Sequence, residues 1–258
     1  MKGLTARRAR DQHENGSSAA PQARKAPSIA SRLTAEVAGT FILTLVAAGA
    51  DVVDGVTAGT IGHAARYLAP GLVLVALIFA FSGISGAHFN PAVTLAFVVR
   101  RVFPIRLALV YWLCQLAGAV AAGLALVAVF GAQAHYGVTR IGLEISPLAA
   151  FGVETVLTAI LVTVILGTCE EEAVVGKNAA IAVGFTVAAC GLFSSPLTGA
   201  SMNPARSLGP ALATQTFTDW WLYVAGPLAG ALLATALVQI VYGSATPAEH
   251  KAAHGKDT

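Results

Sequence analysis

"GASMNPARSLGP", residues 199–210, sets an arginine three residues after an Asn-Pro pair in a chain dominated by apolar side chains. "GAHFNPAVTLAF", residues 86–97, repeats the phrase with Val93 in the place of Arg206. Gly86, Ala87, Asn90, Pro91, Ala92 and Leu95 recur at a constant offset of 113 as Gly199, Ala200, Asn203, Pro204, Ala205 and Leu208. A second correspondence lies upstream: "AEVAGTFILTLV" carries Glu36 and "VETVLTAILVTV" carries Glu154. A lone Asn-Pro is a common turn signal. Two copies at matched places, each downstream of a glutamate-bearing apolar run, mark an internal repeat.

The repeat lies in a membrane. Of 258 residues, 56% are hydrophobic and 11% charged, where a soluble domain carries about 25% charged residues. Nearly uncharged runs fall at 34–50, 67–87, 107–131, 147–168, 178–196 and 219–243. A bilayer core about 30 Å thick needs roughly 20 apolar residues in helix, so six spans are expected. Three crossings per half is an odd number, so the second half sits upside down relative to the first. Inverted repeats place their site near the bilayer midplane, between the halves. The channel unit is assigned to 31–243, with repeat one at about 31–131 and repeat two at about 147–243.

Outside it, residues 1–30 read as a basic, solvated tail, with lipid contact as an alternative use of its charges. No apolar core precedes residue 34, unlike a cleavable signal peptide. Residues 244–258 read as a second unstructured tail. With six spans, thirteen of the sixteen Lys and Arg residues fall on the side of both tails, and only Arg66 and Arg140 on the other. This places both termini in the cytoplasm. The basic residues follow membrane topology, and no nucleic-acid partner is implied. Cys114, Cys169 and Cys190 lack CxxC spacing and read as packing residues; no metal or cofactor is called for.

The Asn-Pro segments are too short to span. Pro91–Val99 gives about 14 Å of helix before Arg100-Arg101, and Pro204 to about Thr214 is similar. Asn is a strong N-cap and Pro suits the first helical position. Two half-helices of about 15 Å entering from opposite faces together cross about 30 Å, so their Asn-Pro ends meet in the middle. Segments 82–90 and 194–203 then reach that depth as irregular backbone, tolerated only along a water-filled cavity. Asn90 and Asn203 offer amide donors there. Both helices aim the positive ends of their dipoles at the centre, each about half a charge, which disfavours cations and protons.

Arg206 adds a full charge on the outer side only. Its sequence position supports a pore-lining role; snorkelling, or pairing with an acid distant in sequence, is the bland alternative.

At these residues the chain resembles the aquaporin, or major intrinsic protein, family. The resemblance implies an all-α fold of six transmembrane helices plus two re-entrant half-helices. It implies a passive channel for water and small uncharged solutes, usually a homotetramer in a plasma or bacterial inner membrane. It makes Asn90 and Asn203 the pore centre and Glu36 and Glu154 braces of the re-entrant loops. Counting along continuous helices to the family's constriction gives Pro70, Gly191, Ala200 and Arg206. This set carries neither the aromatic and histidine of water-selective members nor the aromatic walls of glycerol facilitators. Ser207 and Ala211 also depart from the latter. "GASMNPARSLGPAL", "SGAHFNPAVTLAF" and Tyr223-Val224 are most similar to the plant nodulin-like intrinsic proteins and their bacterial relatives. That group passes glycerol, urea and metalloid hydroxides such as boric and arsenous acid. A constriction free of bulky side chains is expected to pass solutes larger than water, and Gly191→His to narrow it.

Rival readings have their own marks. A strictly water-selective channel is the nearest. A proton-coupled transporter would use Glu36 and Glu154 as coupling carboxylates, but their equivalent places suit symmetric braces better. A scaffold leaves Arg206 unexplained. Ser194, Ser195 and Ser201 have no acid–base partner pattern, so an enzyme is not indicated. His88 reads as a neutral, hydrogen-bonded pore-wall residue or as a pH gate. The run Glu170-Glu171-Glu172 reads as a solvated loop.

Overall fold

The computed structural model describes residues 26–142, 145–169 and 178–255. Most of the basic tail, the Glu170–Glu172 run, Lys177 and Lys256 lie outside the described residues. Six helices are long and apolar enough to cross a membrane. They are α1 (Ile29–Val56), α2 (His63–Ser85), α4 (Ile105–Phe130), α5 (Pro147–Gly167), α6 (Ala179–Thr198) and α8 (Leu222–Tyr242). Between them lie two half-helices, α3 (Pro91–Val99) and α7 (Pro204–Thr214). A 3-10 turn, Gly131–Gly137, follows α4.

Local chemistry sets the half-helix starts. Asn90 has extended backbone (φ −155°, ψ 121°) and its side chain accepts from the Ala92 N–H. Asn203 (φ −150°, ψ 109°) accepts from Ala205 and Arg206. Pro91 and Pro204 occupy the first helical turn, where a missing N–H costs nothing.

The halves interlock. Each first span packs on its own second and third: α1 on α2 and α4, α5 on α6 and α8. The half-helices are exchanged: α7 lies against α4, and α3 against α8. The second spans cross at the pseudo-twofold, where a Cβ on Gly71 would stand 2.6 Å from the Gly184 carbonyl, and one on Gly184 2.6 Å from that of Gly71. Only glycine permits that approach.

Burial is inverted relative to a soluble protein. Glu36, Glu154, Gln115, Asn90, Asn203 and Arg206 are buried, while Ile240 is 82% and Leu148 75% exposed. Such a surface is at home in lipid.

Two expectations change at the ends. The first helix begins at Ile29, two residues inside the segment assigned to the tail. The C-terminal segment is not unstructured, because Pro247–His254 forms a further helix, α9. Thr246 caps it by accepting from the Glu249 N–H, with Pro247 in the first turn. An eight-residue helix is marginal alone. A buried ion pair, Arg100 Nη2 to Glu249 Oε1 at 2.9 Å, holds this one against the body.

Candidate functional site

The two glutamates hold the re-entrant backbone. Glu36 Oε1 accepts from Ser85 Oγ at 2.7 Å and from the His88 N–H at 3.0 Å. Its Oε2 accepts from the Phe89 N–H and Gln115 Nε2, both at 2.8 Å. Glu154 repeats this with Thr198 Oγ1 at 2.7 Å, Ser201 N–H at 3.0 Å and Met202 N–H at 2.8 Å. A carboxylate is needed because the backbone here is far from helical. After Gly86 and Gly199, both left-handed, Ala87 and Phe89 have φ of 53° and 48°, and Ala200 and Met202 47° and 53°. Their N–H groups have no helical carbonyl to meet, and each left unpaired at this depth would cost several kcal/mol. The hydroxyls of Tyr111 and Tyr223 donate to the Ser85 and Thr198 carbonyls at 3.0 and 2.9 Å, closing the ends of α2 and α6.

The half-helix ends meet through their caps. Asn90 Nδ2 donates to the Met202 carbonyl at 2.8 Å, and Asn203 Nδ2 to the Phe89 carbonyl at 2.9 Å. Each amide has a second N–H, and both asparagines border a cavity of about 1170 Å³. It reaches from Asp51, Arg66 and Tyr67 at one end, past the asparagines, to His88 and Lys251 at the other.

Pro70, Gly191, Ala200 and Arg206 all border this cavity, so counting from the asparagines brings the four together. The two readings of Arg206 turn out to be compatible. It faces the cavity, and its Nη2 donates to Asp51 Oδ2 at 2.9 Å. Nη1 donates to the Gly137 carbonyl at 3.2 Å. Its counterpart Val93 is 4% exposed in an apolar cluster.

The expectation of a constriction without bulk is corrected. Tyr67 covers Gly191: a Cβ on Gly191 would stand 2.9 Å from the Tyr67 Cβ. Gly191→His therefore does not fit without displacing Tyr67. Arg66 donates to the Tyr67 hydroxyl at 3.0 Å and lies 5.0 Å from its ring. It also pairs with Asp54 at 3.0 Å and Asp51 at 3.8 Å. Asp51 and Tyr67 are not singled out in the sequence, and Arg66 only as a loop charge. Tyr67 had a signal, standing one helical turn before Pro70. Asp51 had only its place at the end of the first apolar run.

His88 is 4% exposed. Its Nε2 lies 3.0 Å from the Ala253 carbonyl and so carries the proton, since a carbonyl only accepts. Its Nδ1 lies 3.1 Å from Thr94 Oγ1, which donates to the Asn90 carbonyl. Phe97 stacks on it at 4.9 Å.

An inverted repeat whose two broken helices meet beside one cavity is the architecture of a membrane transport protein for small molecules. The family model of the major intrinsic proteins matches residues 23–238. Aquaporin NIP1-3 of Oryza sativa subsp. japonica is 40% identical over 205 residues, covering 79% of this chain and 71% of the relative. Aquaporin NIP2-1 of the same organism is 38% identical over 207 residues, covering 80% and 68%. An aquaglyceroporin of Plasmodium falciparum, solved by X-ray, shares the fold with a TM-score of 0.74 at 23% identity, over 83% of this chain and 97% of that one. The chain belongs to the major intrinsic protein family, and is a channel for water and small neutral solutes.

Proposed function

We propose that this chain is a passive pore that excludes protons and ions and passes neutral solutes larger than water, such as glycerol, urea, boric acid or arsenous acid, along with water. The observation that carries this reading is the meeting of the two half-helix N-termini, cross-bonded through Asn90 and Asn203 beside one long cavity. Two positive dipole ends at the midpoint repel cations and protons. The spare asparagine donors orient a permeating oxygen. Pro70, Gly191, Ala200 and Arg206 form the constriction on this reading.

Glu36 and Glu154 act as braces. Both are fully buried and both carboxylate oxygens of each accept structural donors, leaving none for coupling chemistry. His88 is a pore-wall residue with both ring nitrogens partnered. The charge bias of the loops supports cytoplasmic termini, and on this reading the chain sits in a cell membrane. On this reading the chain assembles as a homotetramer within the bilayer, as is usual in the family.

Purified protein in liposomes tests the reading. Osmotic swelling in glycerol, urea and boric acid should be accelerated over empty liposomes and indifferent to an imposed pH gradient. Proton current, or accumulation against a solute gradient, would replace the channel with a transporter. Water flux with exclusion of all three solutes would make it strictly water-selective.

A further inference from the structure

We propose that Asp51 is a specificity-determining residue of the pore, a carboxylate acceptor set into the constriction beside Arg206. This rests on the pore reading above. Arg206 alone would present a wall of donors and an unmatched charge. Instead Asp51 Oδ2 lies 2.9 Å from Arg206 Nη2, and Asp51 Oδ1 3.8 Å from Arg66 Nη1. Asp54 holds Arg66 from the other side at 3.0 Å. Two guanidinium and two carboxylate groups thus cancel at this mouth. The pair is not sealed away: the Asp51 side chain is 16% exposed, and both residues border the cavity. A guanidinium only donates and a carboxylate only accepts. A neutral solute bearing several hydroxyls can satisfy both at once, donating to Asp51 while accepting from Arg206. Sites built to hydrogen-bond a hydroxyl reject analogues that lack one, because their own groups are left unpaired.

Asp51→Asn keeps the size and removes the charge. In liposomes, the ratio of glycerol to water flux should fall roughly tenfold, the size of one charge-assisted hydrogen bond. Chloride leak should appear, because Arg206 loses its counter-charge. Asp51→Glu should restore the ratio in part and suppress the leak, which a merely structural defect would not do. An unchanged ratio with no leak in a folded Asp51→Asn protein overturns the assignment. Wild-type protein that conducts neither water nor glycerol would fail the pore reading instead.

At the opposite end, different observations carry a second inference. The geometry points to α9 as a strap seated in the mouth of the pore on the face where the described chain begins and ends. Ala248, Lys251, Ala252 and Gly255 border the cavity. The Ala253 carbonyl accepts from His88, two residues before Asn90. A Cβ on Gly86 would stand 2.6 Å from that carbonyl, and one on Gly255 3.1 Å from the Gly83 backbone. The strap therefore presses on the re-entrant backbone itself. Its latch is a two-point pair: Arg100 Nε to Glu249 Oε2 at 3.1 Å and Nη2 to Oε1 at 2.9 Å, with both side chains almost fully buried. Arg100 Nη1 also donates to Gln239 and to the Gly243 carbonyl, tying the latch to the end of α8. Arg32 at the start of α1 donates to His254 Nδ1 at 3.2 Å. The first half's re-entrant loop carries this cover.

Glu249→Lys sets like charges at the latch and should release the strap. Solute flux through the full chain should then rise several-fold. Ala252→Cys should react faster with an impermeant maleimide in the Glu249→Lys background than without it, measured against chains lacking the added thiol. A chain stopped at Gly243 supplies the same test without a substituted side chain and should match the released variant. Flux that stays at the wild-type rate while Ala252→Cys labels rapidly overturns the strap. Labelling that does not accelerate overturns Glu249 as its latch.

Discussion

The two Asn-Pro halves are built to the same distances and end in different chemistry. Ser85 and Thr198 donate to their glutamates at 2.7 Å, His88 and Ser201 at 3.0 Å, Phe89 and Met202 at 2.8 Å. The tyrosine hydroxyls that close α2 and α6 agree to 0.1 Å. Against that sameness stand three differences. Val93 stands where Arg206 does, Pro227 where Gln115 does, and the third span of one half is followed by the helix α9, that of the other by the 3-10 turn Gly131–Gly137. Symmetric contacts build the frame, and the exceptions give the pore a direction. A residue that obeys the repeat is therefore first a structural candidate; one that breaks it is first a functional one.

The frame is where substitution should cost most. Glu36→Ala orphans four donors and Glu154→Ala three, at about 1–3 kcal/mol for each donor left unpaired. Domains hold only about 5–15 kcal/mol in total, so both variants should lose most of their folded yield. The glutamine variants separate the halves. A carboxamide keeps one acceptor oxygen, and in Glu36→Gln its NH₂ must face both the Phe89 N–H and the Gln115 amide. In Glu154→Gln it faces only the Met202 N–H. Glu36→Gln should lose more monodisperse yield and thermal midpoint; equal losses would remove Gln115 as a real difference between halves.

Erasing the chemical difference comes next in size. Arg206→Val makes the second half resemble the first and leaves the Asp51 carboxylate facing the cavity without its closest cation. Methylammonium uptake into liposomes should rise about tenfold, a shift of about 1.4 kcal/mol in barrier. A variant that stays tight to cations would assign exclusion to the helix dipoles alone.

The smallest expected effect is on pH. His254 in α9 is pushed down to about 4, by burial first and then by Arg32 and His250. Arg32 faces it from α1 at 3.2 Å, His250 stacks at 4.5 Å one turn back on α9, and Phe103 lies at 4.9 Å. His88 lies close enough to feel its charge. Since the released ring would protonate near its ordinary 6.5 and the docked ring near 4, the released state binds more protons between those values. Docking is then fully stable above about pH 6.5 and weakens as pH falls through the window. Solute flux should rise modestly from pH 7.5 to 5, and His254→Ala should flatten the rise.

Much of this was legible in the sequence, and the reason is locality. The half-helices are written within a few residues each, by Asn caps and Pro at the first turn, and their bounds fall at Pro91–Val99 and Pro204–Thr214 as counting suggests. Helix carries Pro70 and Gly191, and the re-entrant segment Ala200, to the border of the cavity. What locality hides are partners set by the fold. Asp51 meets Arg206 across 155 residues, and nothing near either position announces the other. Tyr67 fills space that the absence of a side chain at Gly191 seemed to leave open. The C-terminal helix had a capping signature in Thr246, Pro247 and Glu249, but eight residues do not hold a helix alone. Arg100, 149 residues away, decides it.

The cross-bonded asparagines have a consequence for manufacture. Asn90 needs the Met202 carbonyl, and Asn203 the Phe89 carbonyl, so neither half can finish its centre by itself. At about 5–20 residues per second, a ribosome needs roughly 6–23 s to travel from the first asparagine to the second. Throughout that interval the nascent chain holds an incomplete loop with its amide unsatisfied, awaiting a carbonyl not yet made. The pore centre is thus among the last things assembled, and an error late in translation spoils what was inserted first.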